Sequence, residues 1–568
     1  MVSSSTGRVA GPTTMTTTDD PDRLRWLGRL LEMVPGTISW AILILPLWLS
    51  FSYPWLVAYF VLSFDFYWLC RALWFSGAVI VAFGRIRDVV AVDWTDRLAG
   101  LADPAARRAT LEARLTAIGT DAPTGALGVN ALARPGGSER RRLRRELNDL
   151  RAFESMSATP LSADQLIHLA LIPTYTEPLD KLRHTVRALA EAKWPAERKI
   201  CAIITRETDE GGIANVRTLR AEFGDAFAEF IHILDPLEPG IVVGKSSAMA
   251  WGGRYLYRKL VRERGMDPHL IIVTDLDADY RVHPQYFAYL TWVHLTDPNR
   301  ETQLYQPIPY FHNNIWEAPM LQRLFAAVLT QLQMWRSVLP EKLQSFGSYS
   351  TTLHLVHDVG YWATDAIPED SRFYWKSYFR YGDRFRAVPL FIPIYGDAVR
   401  ARGYWRSMAE QSLQARRWAW GVTDIPFVID NAVRHAEIPW SSRFWRVVNL
   451  FGEHINWAIT PFVLTFGATV PLLINPAFGE TTLGQNLPLY ASSMLTMAVV
   501  SLAVLIVVEH RIVPARPAEW GWLQRTISYV QWIGLPFVGI IFSMVPALDA
   551  QTRLLTGRYL EYKVTEKV

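Results

Sequence analysis

Long apolar stretches lie towards both ends of the chain and leave a more polar middle. The longest nearly uncharged stretches are residues 40–51, 55–70, 455–474, 489–508 and 527–547. Most approach the roughly 20 residues that a helix needs to cross a bilayer. We therefore predict a transmembrane hairpin over residues 34–83, interrupted near Pro54, and further transmembrane helices over residues 457–548.

The middle of the chain follows two other patterns. Residues 84–165 show helical periodicity and a charge run at 139–146, which predict a cytoplasmic helical segment with a solvated face. From residue 166 to 430, short apolar runs alternate with helix-like stretches such as residues 179–193. This alternation predicts an α/β domain with a mainly parallel sheet, in which ligands bind beyond the carboxyl ends of the strands.

The remaining segments are assigned from their composition. Residues 1–33 are predicted to be a disordered tail, because Ser, Thr and Gly dominate the first 20 residues. Residues 431–456 are predicted to form an interfacial helix, and residues 549–568 a C-terminal tail. Two spans before the domain and three after it would put that tail outside the cell, although its Arg and Lys residues favour the inside. One of the later stretches could instead be interfacial or re-entrant.

Composition supports contact with lipid. The 568 residues are 50% hydrophobic and include 23 Trp, a residue that gathers at membrane interfaces. A net charge of +4 does not suggest a nucleic-acid partner. The two cysteines, Cys70 and Cys201, cannot build a disulfide framework or a cysteine-rich zinc site. We therefore expect a multi-pass membrane protein with membrane lipids as partners.

Three aspartates follow one apolar strand. The run at residues 270–274 is followed by Asp275, Asp277 and Asp279, which should lie in a loop at the carboxyl edge of the sheet. Two carboxylates separated by one residue can approach the same cation, and hard divalent ions prefer oxygen ligands. The same pattern also ends strands and caps helices, so the surrounding motifs must decide between these interpretations.

Two upstream motifs could bind a nucleotide. Thr174, Tyr175 and Glu177 come directly after an apolar run and offer a hydroxyl, a ring and a carboxylate to a nucleoside, although they could simply form a turn. Lys245 follows Gly244 and could approach a diphosphate, or it could be a surface lysine. The glycine spacing required for a P-loop is absent there.

Two downstream motifs complete the set. Glu369 and Asp370 could include the base that deprotonates an acceptor hydroxyl, or Asp370 could cap a helix. Gln414, Arg417 and Trp418 share one side of a helix. An Arg there can neutralise a leaving diphosphate and an indole can stack on a sugar, whereas snorkelling at a membrane surface is the competing interpretation.

Taken in order, these motifs resemble the processive branch of the inverting family 2 glycosyltransferases, the cellulose- and hyaluronan-synthase-like membrane enzymes. The resemblance covers about residues 169–421, and Gln414, Arg417 and Trp418 are its most specific part. It implies a nucleotide-sugar-binding, Rossmann-like α/β domain of glycosyltransferase A type, inserted between transmembrane helices.

The resemblance also implies roles for individual residues. It places the nucleoside, typically uridine, at Thr174, Tyr175 and Glu177, the diphosphate near Lys245, and Mg²⁺ or Mn²⁺ at Asp277 and Asp279, with Asp277 also contacting the donor. Asp370, beside Glu369, would be the general base, while Gln414, Arg417 and Trp418 would close over donor and acceptor. The family's acidic residue after the second strand has no clear counterpart, so Glu207 or Asp209 is expected to serve. Pro368 replaces the family's threonine before the Glu-Asp pair.

The expected activity follows from these roles. An inverting hexosyltransferase would move a sugar from a nucleotide-sugar donor, such as a UDP-sugar, to a polysaccharide or lipid-linked acceptor in cell-envelope biosynthesis. It would lie in a bacterial-type plasma membrane with its catalytic domain in the cytoplasm, with room for an accessory export subunit. Two alternatives remain open: an inactive structural component of a polysaccharide synthesis or export complex, and a nucleotide-regulated transporter.

Overall fold

The N-terminal part of the chain is a pair of long apolar helices. The computed structural model describes residues 21–120, 137–156, 161–236 and 244–560. Helix α1 (Pro21–Ser52) begins inside the segment predicted as a tail, whose residues 1–20 lie outside the described parts. Helix α2 (Pro54–Val90) follows after Tyr53, with Pro54 at its start. Because proline disfavours helix in the residue before it and is accepted at a first helical position, this boundary forms the tip of a hairpin.

Three helices follow in the predicted helical segment: α3 (Trp94–Ala99), α4 (Pro104–Thr120) and α5 (Gly137–Met156). The charge run at 139–146 is not wholly solvated, because the Glu146 side chain is only 2% exposed. Its carboxylate pairs with Arg97 at 3.0 Å and with Arg107 at 2.8 Å. These ion pairs tie α5 to α3 and α4.

An eight-stranded mixed sheet forms the centre of the domain. The strands are β1 (Ile167–Pro173), β2 (Lys199–Arg206), β3 (Glu229–Asp235), β4 (Ile271–Asp275), β5 (Arg281–Val282), β6 (Gln303–Tyr310), β7 (Tyr349–Thr352) and β8 (Arg386–Tyr395). Their order is β3-β2-β1-β4-β7-β6-β8-β5. Strands β1 to β4 run parallel, whereas β7 runs antiparallel to β4 and β6. The end of β4 therefore meets the start of β7 at one edge.

Helices cover both faces of this sheet. They are α6 (Leu179–Glu191), α7 (Glu210–Phe223), α8 (Lys245–Leu256), α9 (Tyr286–Thr296), α10 (Met320–Val338), α11 (Leu353–Asp358) and α12 (Glu369–Tyr381). Two more helices, α13 (Tyr404–Ala419) and α14 (Asp424–Arg434), pack on α10 and α12 respectively. In β1, Ala170 and Ile172 pack in one core and Leu169 and Leu171 in the other. Burial on both faces explains why the strand is continuously apolar rather than alternating. The predicted α/β fold class is confirmed.

The C-terminal part returns to apolar helices: α15 (Trp440–Phe466), α16 (Val470–Ile474), α17 (Pro476–Gly479), α18 (Thr482–Ile512), α19 (Trp522–Val530), α20 (Leu535–Gly539) and α21 (Val545–Thr556). In the described residues, five segments are long and apolar enough to cross a membrane. They are Trp26–Ser52, Pro54–Val90, Trp440–Ile474, Thr482–Ile512 and Trp522–Thr556. The predicted interfacial segment 431–456 falls largely within α15, which continues without a break into the apolar part of that helix.

The last apolar segment begins and ends beside the α/β domain. The Trp520 ring, just before α19, lies 5.2 Å from the Trp316 ring. At the other end, the Asp549 carboxylate in α21 pairs with Arg416 of α13 at 2.7 Å. The middle of the segment also packs on the domain, because Trp532 and Phe542 share an apolar cluster with Phe325 of α10.

Candidate active site

The backbone of the acidic loop after β4 is held from two sides. Asp275 is the last residue of β4, and Asp277 and Asp279 follow it. The Asp277 N–H donates to the Ser348 hydroxyl at 3.0 Å, just before β7. The Asp279 carbonyl accepts from the Asn313 amide at 3.2 Å. These bonds hold the loop at the sheet edge that the sequence predicts for a ligand.

A single ammonium group lies among four carboxylates. Lys245, the first residue of α8, places its Nζ 2.8 Å from Asp277, 3.2 Å from Asp275, 3.6 Å from Glu369 and 3.8 Å from Asp370. Burial lowers the pKa of Lys245, but the four carboxylates together raise it well above its usual value. The lysine therefore stays charged and holds together acids from two separate loops.

Asp370 lies in the first turn of α12 and faces this lysine. One of its oxygens accepts the Gly347 N–H at 2.8 Å. Burial raises the pKa of Asp370 well above its usual value; Lys245 opposes the shift, and the neighbouring carboxylates add to it. A carboxylate with a raised pKa is a better proton acceptor than an exposed one, provided that it is ionised.

Two further residues belong to this cluster without having been assigned a role from the sequence. Asp275 is only 1% exposed, and burial raises its pKa to about 7 although Lys245 opposes the shift. Gly347 adopts a φ of +66°, and a Cβ there would lie 3.4 Å from the Asp277 carboxylate. Its backbone binds both sides of the cluster, because its carbonyl accepts from Lys245 and its N–H donates to Asp370. Of these two residues, only Asp275 could have been recognised from the sequence, because it is a carboxylate at the end of an apolar strand.

The segment after β1 presents polar groups beside this cluster. The Thr174 N–H donates to the Ile204 carbonyl at 2.9 Å and so extends the pairing of β1 with β2. Thr176 has a φ of +62°, which is unusual for a β-branched residue. The Tyr175 N–H donates to the Glu177 carboxylate across this turn. The turn leaves the Tyr175 side chain 47% exposed.

The segment after β2 places its charges differently. Glu207 is exposed, and its N–H donates to the Asp235 carbonyl at 3.2 Å. Arg206, the last residue of β2, lines the cavity described below and pairs with Asp235 at 3.1 Å. Glu207 lies in the turn that follows the strand and does not line that cavity. Asp209, the other residue expected to serve, instead caps α7 by accepting the Gly212 N–H at 2.9 Å.

Helix α13 directs its predicted residues to one side. Gln414, Arg417 and Trp418 all line the cavity, as their spacing predicts. The Gln414 side chain accepts from Gln411 at 3.1 Å. The Trp418 ring lies 5.6 Å from Phe346, which is in the loop that also carries Gly347.

One cavity of about 1130 Å³ connects these groups. Of the residues predicted for the site, it is lined by Thr174, Tyr175, Glu177, Lys245, Asp277, Asp279, Glu369, Asp370, Gln414, Arg417 and Trp418, and Glu207 lies outside it. The same cavity is lined by Trp68 and Arg71 of α2 and by Trp457 and Pro461 of α15. A space beside the buried carboxylates therefore continues among the apolar helices.

Residues 272–508 match a family model described as glycosyl transferase family group 2. The match supports a family 2-like glycosyltransferase. It begins within β4 and includes the acidic loop, Asp370 and the cavity side of α13, but not the Tyr175 segment or Lys245. No curated protein matches the chain.

Several solved structures are similar to this chain at low identity. A mannosyltransferase from Pyrobaculum calidifontis, in complex with GDP-Man and Mn²⁺, is 16% identical over 64% of this chain and 93% of its own, with a TM-score of 0.37. S. aureus TarS 1–349 in complex with UDP-GlcNAc is 10% identical over 69% of this chain and 93% of its own, with a TM-score of 0.31.

Proposed function

We propose that this protein is an inverting, membrane-embedded glycosyltransferase of the processive, cellulose- and hyaluronan-synthase-like type. It would move a hexose from a UDP-sugar to a glycan or lipid-linked acceptor. The observation that carries the proposal is the single cavity that joins the carboxylate cluster around Lys245 to Trp457 among the apolar helices. A donor can occupy the sheet edge while an acceptor reaches it from the membrane side.

Asp370 is the proposed general base. It would take the proton from an acceptor hydroxyl as that oxygen forms its bond to the anomeric carbon. The bond from this carbon to the nucleotide diphosphate breaks on the opposite face, so the configuration inverts and no covalent sugar intermediate forms. The hydrogen bond from Gly347 to one Asp370 oxygen supports this role, because it orients the carboxylate and leaves the other oxygen for the hydroxyl.

The donor is proposed to lie along the edge formed by β1 and β4. Thr174, Tyr175 and Glu177 would hold the nucleoside, since this turn lines the cavity with a half-exposed ring at its centre. Arg417 would face the diphosphate and reduce the cost of the charge that develops on the leaving group. When the donor binds, the Lys245 ammonium would contact the same diphosphate and lose part of its contact with Asp277.

The acidic loop fits a divalent cation only together with a substrate. Asp277 and Asp279 offer oxygen ligands, as Mg²⁺ and Mn²⁺ prefer. Within the described ranges, no three acidic, histidine or cysteine side chains form a ready metal site. Magnesium commonly takes one or two carboxylates and completes its shell with phosphate and water. When bound, the ion would supply positive charge to the departing diphosphate.

The apolar helices are proposed to place the enzyme in a bacterial-type plasma membrane with its α/β domain in the cytoplasm. Helices α1, α2, α15 and α18 would cross the bilayer. The segment Trp522–Thr556, which contacts the domain near both ends, would lie at the interface. Both chain ends would then share the cytoplasmic side, which agrees with the basic residues near the C-terminus. An accessory export subunit could receive a glycan on the far side.

Purified protein in lipid nanodiscs, incubated with radiolabelled UDP-sugars and Mg²⁺ or Mn²⁺, tests the proposal. We expect hydrolysis or transfer of one donor, with glycan length or lipid attachment showing the acceptor. Asp370→Asn should reduce the rate by about 10² to 10⁴-fold, because the base is lost. Asp225→Asn is the matched control, since Asp225 is exposed and lies outside the cavity. Equal rates in the two variants would contradict the assignment of the base.

A further inference from the structure

The membrane side of the cavity carries a different charge from the catalytic side. Arg71 of α2 and Arg336 of α10 both line it. Among the described residues, the carboxylate that pairs with these two arginines is Glu453 of α15, whose oxygen lies 3.1 Å from the Arg336 guanidinium. Lys342 follows α10 nearby and donates to the Asn449 amide oxygen. The basic residues of this end thus outnumber the acid that pairs with them.

Arg71 is held in place by aromatic rings. Its guanidinium carbon lies 5.0 Å from the Trp68 ring and 5.2 Å from the Trp335 ring. Tyr67 accepts one of its N–H groups at 2.8 Å. In the part of the chain that the structure describes, no carboxylate pairs with Arg71. Two indoles thus orient a cation whose charge no neighbouring acid neutralises, with the remaining donors of its guanidinium available.

Buried hydrogen-bond donors without partners line the same cavity as this arginine. The residues concerned line the cavity: Trp68, Gln333, Trp335, Arg336 and Thr460. Among the described residues, the indole N–H of both tryptophans, the Nε of Arg336, the amide of Gln333 and the hydroxyl of Thr460 have no hydrogen-bond partner. Gln333 and Trp335 are each only 1% exposed. Buried polar groups are normally paired, so a set dominated by donors indicates a ligand rich in acceptor oxygens.

We propose that this end of the cavity is an acceptor subsite for an acidic glycan, with Arg71 binding the carboxylate of a sugar residue. The inference rests on the proposed transferase function and specifies its acceptor. The indoles offer faces on which a sugar ring can stack, and the Gln333 amide can bond its hydroxyls. These polar walls fit a glycan better than the hydrocarbon chain of a lipid acceptor.

Binding of a charged and an uncharged form of one trisaccharide tests this subsite. Radiolabelled trigalacturonate and its fully methyl-esterified form differ in charge but share the same backbone. We expect wild-type protein, in nanodiscs of phosphatidylcholine alone, to bind the free acid at least about tenfold more tightly. Arg71→Gln should abolish this preference and Arg71→Lys should keep part of it. Arg87→Gln, an exposed position on the same helix, is the matched control and should keep all of it.

Several results would overturn the subsite. These are equal affinity of the wild type for both forms, an unchanged preference in Arg71→Gln, or stronger binding of farnesyl phosphate than of trigalacturonate. A loss of UDP affinity in Arg71→Gln would assign the arginine to the donor instead. Thermal unfolding of each variant shows whether it is folded. If Arg71→Gln is unfolded, the partial charge preference expected of Arg71→Lys still tests the subsite. Donor hydrolysis without a charge preference contradicts only the subsite, whereas a charge preference without donor turnover contradicts only the transferase.

Discussion

Removing the charge of Lys245 should change the pH dependence of the reaction. The ammonium lies 3.8 Å from the Asp370 carboxylate and opposes the burial that raises the pKa of that group. At an effective dielectric constant of about 20, a pair of charges at this distance interacts by about 4 kcal/mol. An interaction of this size is large enough to change the pKa of Asp370 measurably.

The charges around Asp370 determine the direction in which its pKa changes. Without the lysine, the ionised form of Asp370 loses its stabilising neighbour while the other carboxylates remain, so its pKa rises further. A base must be ionised to accept a proton, and the activity of Lys245→Met should therefore fall at pH 7 and recover towards higher pH. Lys245→Arg keeps the charge, so the acid limb of its pH–activity profile should stay close to that of the wild type.

The measurement is the pH profile of kcat for transfer or donor hydrolysis at saturating donor. Saturating donor separates the effect on the pKa of Asp370 from weaker binding of the diphosphate, because weaker binding would raise KM at every pH. An acid limb of Lys245→Met that coincides with that of the wild type would refute the electrostatic coupling between Lys245 and Asp370. So would an equal shift in Lys245→Arg.

Other variants test the metal, the fold and the donor contacts. Asp279→Ala should require a higher Mn²⁺ concentration for half-maximal rate, and chelation should stop the wild-type reaction until Mg²⁺ or Mn²⁺ is restored; a rate insensitive to chelation would exclude the metal. Asp424→Ala should lower the unfolding temperature followed by tryptophan fluorescence. It leaves the buried Arg372 without its partner at 2.7 Å, a loss of about 3–5 kcal/mol, and an unchanged temperature would show that the pair contributes little. Glu207→Gln should leave UDP affinity unchanged while Glu177→Gln weakens it; the reverse order would mean that the exposed acid contacts the donor.

Local patterns in the sequence predict the parts of the site that depend on one segment. The apolar run ending at Asp275 places the acidic loop, because strands of this kind end at the ligand-binding edge of the sheet. The spacing of Gln414, Arg417 and Trp418 predicts their common side, because helical periodicity determines which residues face together. The same local rules identify the apolar helices and the α/β class between them.

The tertiary structure decides how distant segments meet. Lys245 becomes the centre of a carboxylate cluster because β7 pairs antiparallel with β4, which brings Gly347 and Asp370 to the end of β4. No local pattern encodes that pairing. In the same way, composition marks Trp522–Thr556 as a possible span, and only its contacts with the domain show where it begins and ends. Residue types and periodicity are local properties, whereas charge balance and burial depend on neighbours that only the folded chain supplies.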